Sequence, residues 1–183
     1  MPISKVDQET LDLDWFAVDR YGNLAHFATG GQGAIPRHEA LSVDGLIHTS
    51  QLVKLSLFPI TIPQVSPSLE RRLGTMDGEK KERYLHSFME FTKRGLFSFD
   101  YIHGVGRPQG YSIVARPAKP AHLADCPDNL QSLLQQIVFE RLSFASAEKL
   151  DAAEVTSLGS EMRVAKRRRG QRSAEHSGPV ARG

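Results

Sequence analysis

The sequence predicts an α+β fold: a largely antiparallel sheet built from hairpins, packed with two to three helices and followed by a disordered C-terminal tail. Two stretches of alternating side chains return on themselves around glycine-containing turns, as hairpin strands do. Two others repeat apolar residues at helical spacing. Strands and helices mix without regular β–α–β alternation, which argues against a doubly wound parallel sheet.

The first hairpin covers residues 11–29, "LDLDWFAVDRYGNLAHFAT". Alternation along a strand puts Leu13, Trp15 and Ala17 on one face and Asp12, Asp14, Phe16 and Val18 on the other. In "DRYGN" the Asp, Gly and Asn supply turn chemistry and tolerate positive φ. "GGQGAIPR" then leaves the hairpin as a loop. Over residues 36–75 the prolines at 59, 63 and 67 remove backbone donors and press their predecessors toward extended conformations. An extended loop is expected over "PITIPQVSP", although "SQLVKLSLF" could begin a helix at Ser50.

"DGEKKERYLHSFMEFTKRGLF" predicts an amphipathic helix. Tyr84, Phe88 and Phe91 recur at i, i+4 and i+7, and Leu85 and Met89 widen the stripe. Asp77 and Glu79 suit its start, Lys93 and Arg94 its end, and Gly95 its C-cap. "LFSFDYI" and "GYSIVARP" predict a second hairpin joined by "HGVGRPQG". "ADCPDNLQSLLQQIVFERL" predicts another helix, with Asp125 as cap, Pro127 in the first turn and an apolar face of Leu130, Leu133, Leu134, Ile137 and Val138. "FERLSFAS" reads as a last short strand.

The length of 183 residues suits one domain, expected over 1–150, with a basic tail over 151–183. "RVAKRRRGQRSAEHSGPVARG" has too little apolar surface to offset the entropy of ordering, so disorder is expected. From Glu161 onward there are seven basic and two acidic residues, against sixteen basic and nineteen acidic in 1–160. The overall charge of +2 therefore comes from the tail, whereas a nucleic-acid-binding domain should carry positive charge on its fold. A single cysteine, Cys126, excludes an internal disulfide and fits a reducing compartment. No secretory signal is visible, and the run "LVKLSLFPITIP" contains a lysine and two prolines and is too short to span a bilayer. A cytoplasmic location without membrane association is expected.

Asp12 and Asp14, two apart on one strand face, could hold a divalent cation with Asp19 or His26. The liganding spacing and distal glutamate of an EF-hand loop are absent, and a polar hairpin edge with Asp19 shaping the turn is the favoured reading. "GGQG" could cradle a phosphate but lacks the Walker and dinucleotide-binding patterns, so a flexible loop is favoured. His38–Glu39 begins like a zinc-protease motif without its second histidine. Cys126 stands at a helix start that could lower its pKa, yet an incidental cysteine is the simpler reading. No nucleophile elbow or paired-histidine spacing occurs, and no cofactor is expected. Lys166, Arg167, Arg168, Arg169 and Arg172 could neutralise nucleic-acid phosphates or an acidic partner, without aromatics for base stacking.

"LDWFAVDRYGNLAHFATGG" and "GLFSFDYIHG…GYSIVARPAKPAHLADCP" resemble a group of small uncharacterised bacterial proteins. The matching positions are Asp14, Trp15, Phe16, Ala17, Val18, Asp19, Gly22 and Phe27, then Gly95, Asp100, Tyr111, Val114, Ala115 and Pro117. The likeness covers roughly 12–35 and 95–130 and leaves out the middle and the basic tail. Some such proteins resemble immunity proteins of bacterial toxin systems, and the resemblance transfers no catalytic residue. The expected function is a non-enzymatic protein-binding module of immunity-like character. Nucleic-acid association through the tail is the alternative, and a metal-dependent enzyme using Asp12, Asp14 and Asp19 is the least favoured.

Overall fold

The computed structural model describes residues 3–56, 58–103 and 110–158. Strands β1 (Asp14–Asp19) and β2 (Leu24–Ala28) form the first hairpin, with Trp15 opposite Phe27 and Phe16 opposite His26. Gly22 in the turn has φ +84°, and the His122 ring stands 2.2 Å from where a Cβ would sit, so the turn needs glycine twice over. Strands β4 (Phe97–Ile102) and β5 (Gly110–Pro117) form the second antiparallel pair.

These pairs are joined in a way the sequence does not announce. The sheet runs β3–β5–β4–β2–β1–β6, where β3 is Pro63–Val65 and β6 is Val138–Phe139; β7 (Lys149–Asp151) lies on β5 as well. β2 pairs with β4 in parallel, and β1 with β6 in parallel. The sheet is therefore mixed, correcting the largely antiparallel expectation. A parallel neighbour needs a long crossover, and the chain between β2 and β4 provides one through helices that cover the sheet.

Those helices correct a second expectation. The helix that could begin at Ser50 starts earlier: residues Val43–Leu55 form α2, capped by Ser42, whose Oγ accepts from the Gly45 N–H at 3.1 Å, while 59–65 of the proline stretch contains no helix. Pro67 opens α3 (Pro67–Leu73) at a first-turn position, where its missing N–H costs nothing. The prolines thus bound helices rather than exclude them. The helix from Gly78 to Thr92, α4, forms as predicted, and Gly95 at φ +87° turns the chain into β4. α5 is only Asp128–Leu134: Val138 leaves the expected helix to join β6, and Asp125 lies in a preceding 3₁₀ turn capped by His122. With α1 (Lys5–Thr10) before the sheet, more helices form than the two or three expected. Asp151 belongs to β7, and residues 152–158 are helical with Val155 fully buried, so the folded body extends past the expected boundary at 150.

Both sheet faces are buried. On one, Trp15, Phe27, Phe99 and Tyr111 pack with Phe139, Phe144, Leu150 and Val155. On the other, Phe16, Val18 and Leu24 meet Val53 of α2, Phe91 of α4, and Leu130 and Leu134 of α5. Leu85 and Phe88 of α4 close over Val114 with Leu69 and Leu73 of α3.

Candidate functional site

The three aspartates of the hairpin do not converge. Asp19 is buried, and its Oδ1 accepts from the Tyr21 and Asn23 backbone N–H groups, each at 2.9 Å. Its Oδ2 accepts from Asn23 Nδ2 at 3.0 Å and from the Phe144 backbone N–H at 2.9 Å. All four contacts fasten the turn and the 139–144 segment. Asp14 lies five positions back along the strand, about 16 Å at the usual rise. Its Oδ1 is 2.9 Å from Nε2 of His26, which is fully buried and stacked on Phe91 at 4.1 Å. His26 Nδ1 has no partner. Nε2 is placed to donate to Asp14. Burial alone would raise the Asp14 carboxyl, but the His26 hydrogen bond and charge, with the Lys54 charge, hold it below its usual range. Asp12 is exposed beside them, lining a shallow cavity of about 270 Å³ with Leu13, Asp14, Ile47, Gln51 and Lys54. Among the described residues no three His, Cys, Asp or Glu side chains group so as to hold a metal ion.

A second polar pair was not singled out in the sequence as a site. Tyr84 of α4 donates to Asp100 Oδ2 of β4 at 2.6 Å, crossing from helix to sheet. Burial raises the Asp100 carboxyl, against the lowering effects of the Tyr84 hydrogen bond and the Arg72 and His103 charges. Burial likewise drives the Tyr84 hydroxyl above its ordinary value, helped by the adjacent carboxylate. The signal in the sequence was Tyr84 at the head of the helical stripe, which reads as core until its register against β4 is known.

Other candidate motifs serve structure. In "GGQG" the Gln32 and Gly33 N–H groups turn inward to Thr29 O, at 3.2 and 2.8 Å. A Cβ on Gly33 would stand 2.8 Å from Tyr111 Oη, so this glycine allows close packing over the aromatic core. His38 Nδ1 accepts from the Ala40 N–H at 3.3 Å. Cys126 is buried, and burial with the Asp125 charge pushes its thiol up to about 11, away from the reactive thiolate. Lys166, Arg167, Arg168, Arg169 and Arg172 lie outside the described residues, as does most of "HGVGRPQG".

What stands out is an apolar ridge. Ile47 and Leu55, two turns apart on α2, are 49% and 78% exposed, and Ile60 and Ile62 are 87% and 74% exposed. Between the two isoleucines Thr61 is buried, as alternation in an extended segment requires. The segment is held at several points. The Thr61 N–H donates to Lys93 O at 2.8 Å, the Lys119 N–H donates to Thr61 Oγ1 at 2.9 Å, and the Ala118 N–H donates to Ile62 O at 2.9 Å. The next residue of α4's end, Arg94, donates through Nε and Nη2 to Lys54 O at 3.1 and 2.9 Å. Since Lys93 and Arg94 are chain neighbours, these bonds bring the Leu55 end of α2 and the Ile60–Ile62 segment to the same end of α4.

Comparison of the chain with known family models, curated proteins and solved structures gives no match. Among the described residues no helix is long and apolar enough to cross a membrane.

Proposed function

We propose that this chain is a non-enzymatic protein-binding module, with the immunity-like character suggested by its hairpin motif. The observation that supports this reading is the ridge of Leu55, Ile60 and Ile62, exposed yet pinned in a defined extended conformation. Exposed aliphatics are ordinary when scattered, whereas a contiguous group marks an interaction surface. Holding the segment in place in the free protein reduces the ordering cost that binding must meet. Burying each aliphatic in a partner would contribute about 1.5–3 kcal/mol.

The test is an affinity pull-down from a native-type lysate, with the wild-type chain beside Ile60→Asp/Ile62→Asp. The expected result is one stoichiometric partner on the wild type that is lost on the variant, with unchanged melting temperatures. No partner at physiological salt, or equal recovery on both, counts against the proposal.

A further inference from the structure

We infer that the partner meets the ridge with an amphipathic segment whose apolar side is flanked by aspartates and glutamates; this rests on the protein-binding reading above. The argument is charge complementarity. Lys93 and Lys119 are hydrogen-bonded through their backbones to Thr61, the residue between the two exposed isoleucines, so both lie next to this segment. Both lysines are exposed, and neither forms an ion pair among the described residues. At the α2 end, Lys54 and Arg94 share Glu90, at 3.6 and 3.8 Å. At the Leu55, Ile60 and Ile62 end the groups tied into the ridge thus comprise four cations and a single carboxylate, on a body that is otherwise slightly acidic over 1–160, whereas Asp12 and Asp14 stand by Ile47 at the other end. Acidic flanks on the partner would speed encounter and fix its register on the ridge.

Strand addition does not fit this edge. β3 follows directly from Ile62, but Pro63 brings no N–H to pair with an incoming strand. Recognition therefore falls to side chains: the Ile47–Leu55 stripe of α2 and the outward pair Ile60 and Ile62.

The experiment selects a phage-displayed library of 16-residue peptides on the immobilised full chain. It then measures the enriched peptide by fluorescence anisotropy against wild type, Lys93→Glu/Lys119→Glu, Lys93→Arg/Lys119→Arg and Ile60→Asp/Ile62→Asp. Expected is an apolar consensus flanked by Asp and Glu. Its affinity should fall tenfold or more in the Glu and Asp variants, survive in the Arg variant and weaken with added salt. Enriched peptides lacking acidic residues, yet lost with Ile60→Asp/Ile62→Asp, overturn the acidic partner and leave the protein-binding reading standing. No ridge-dependent enrichment overturns both. A dimer in light scattering that Ile60→Asp/Ile62→Asp disperses would assign the ridge to a second copy and overturn the inference. So would displacement of the peptide by a single-stranded DNA 30-mer with the same lysine dependence. All four substituted positions are exposed, and melting curves matching wild type confirm that each variant is folded.

Discussion

On one face of the sheet Trp15, Phe27 and Phe99 stack in series, with centroids 4.0 and 4.9 Å apart; on the other, the same strands turn His26, Ser98 and Asp100 toward α4 and Asp14 toward α2. The aromatic face joins its polar atoms end to end: Trp15 Nε1 donates to Tyr111 Oη at 2.9 Å, which donates to Ala34 O at 2.7 Å. The α4 face divides its polar groups into three separate clusters. Thr92 donates to Ser98 at 2.9 Å, His26 faces Asp14, and Tyr84 caps Asp100. Rings offer area and tolerate no gap, while paired groups offer less area and respond to protonation. Stability should thus be concentrated on the first face and pH sensitivity on the second.

The largest break in this comparison is Trp15→Ala. It should cost about 3–5 kcal/mol, as removal of a fully buried aromatic does, read from urea denaturation followed by far-UV circular dichroism. A loss under about 1 kcal/mol would show that the stack is not the centre of stability. Next comes Asp19→Ala, at the border of the aromatic face. Leaving the Tyr21, Asn23 and Phe144 N–H groups without their acceptor should cost about 2–4 kcal/mol in the same assay.

Asp14→Asn addresses the α4 face and should cost about 1 kcal/mol near neutral pH. The folded Asp14 is held below its usual range, so its contribution is present above the unfolded value, about 3.9, and is lost as pH falls through the folded value. The gap between wild type and Asp14→Asn should therefore close on acidification below about pH 4. The difference profile is the quantity to measure, because Asp100 is raised and works oppositely, losing stability as pH rises through its folded value. A gap independent of pH would deny Asp14 this role. Tyr84→Phe is the smallest break, at about 1 kcal/mol or less. It should shrink at acid pH, where a protonated Asp100 no longer needs the hydroxyl.

The first hairpin was legible because its determinants are local. Alternation sorted Trp15 from Asp14, and Gly22 marked the turn. The α4 stripe was legible for the same reason. What failed was non-local. The parallel contact of β2 with β4 is set by register across the intervening helices, and no local period encodes it. α2 was hidden because its apolar residues are distributed over a buried and an exposed side, Leu46 and Val53 inward and Ile47 and Leu55 outward, so no single stripe declares it. That same distribution is why the ridge was invisible in sequence: exposure of Ile60 and Ile62 follows from Thr61 being anchored by Lys93 and Lys119, residues far along the chain. Of the candidate acids, the turn-shaping reading of Asp19 matches its contacts, and the Asp14–His26 proximity was within reach of hairpin register.

The parallel pairing also sets an order of events. Trp15 meets Phe27 across a short turn, and hairpins close in microseconds. Phe27 must then wait for Phe99, 72 positions later in the chain. At ribosomal rates of about 5–20 residues per second, that wait is roughly 4–14 s. β6, the other neighbour of the hairpin, emerges later still. Throughout that interval a ribbon rich in aromatic residues has both of its hydrogen-bonding edges unpaired, the condition under which strands join the wrong chain. Slow synthesis through residues 29–96 would lengthen this exposure, and the cost would appear in the yield of soluble protein rather than in the stability of the finished fold.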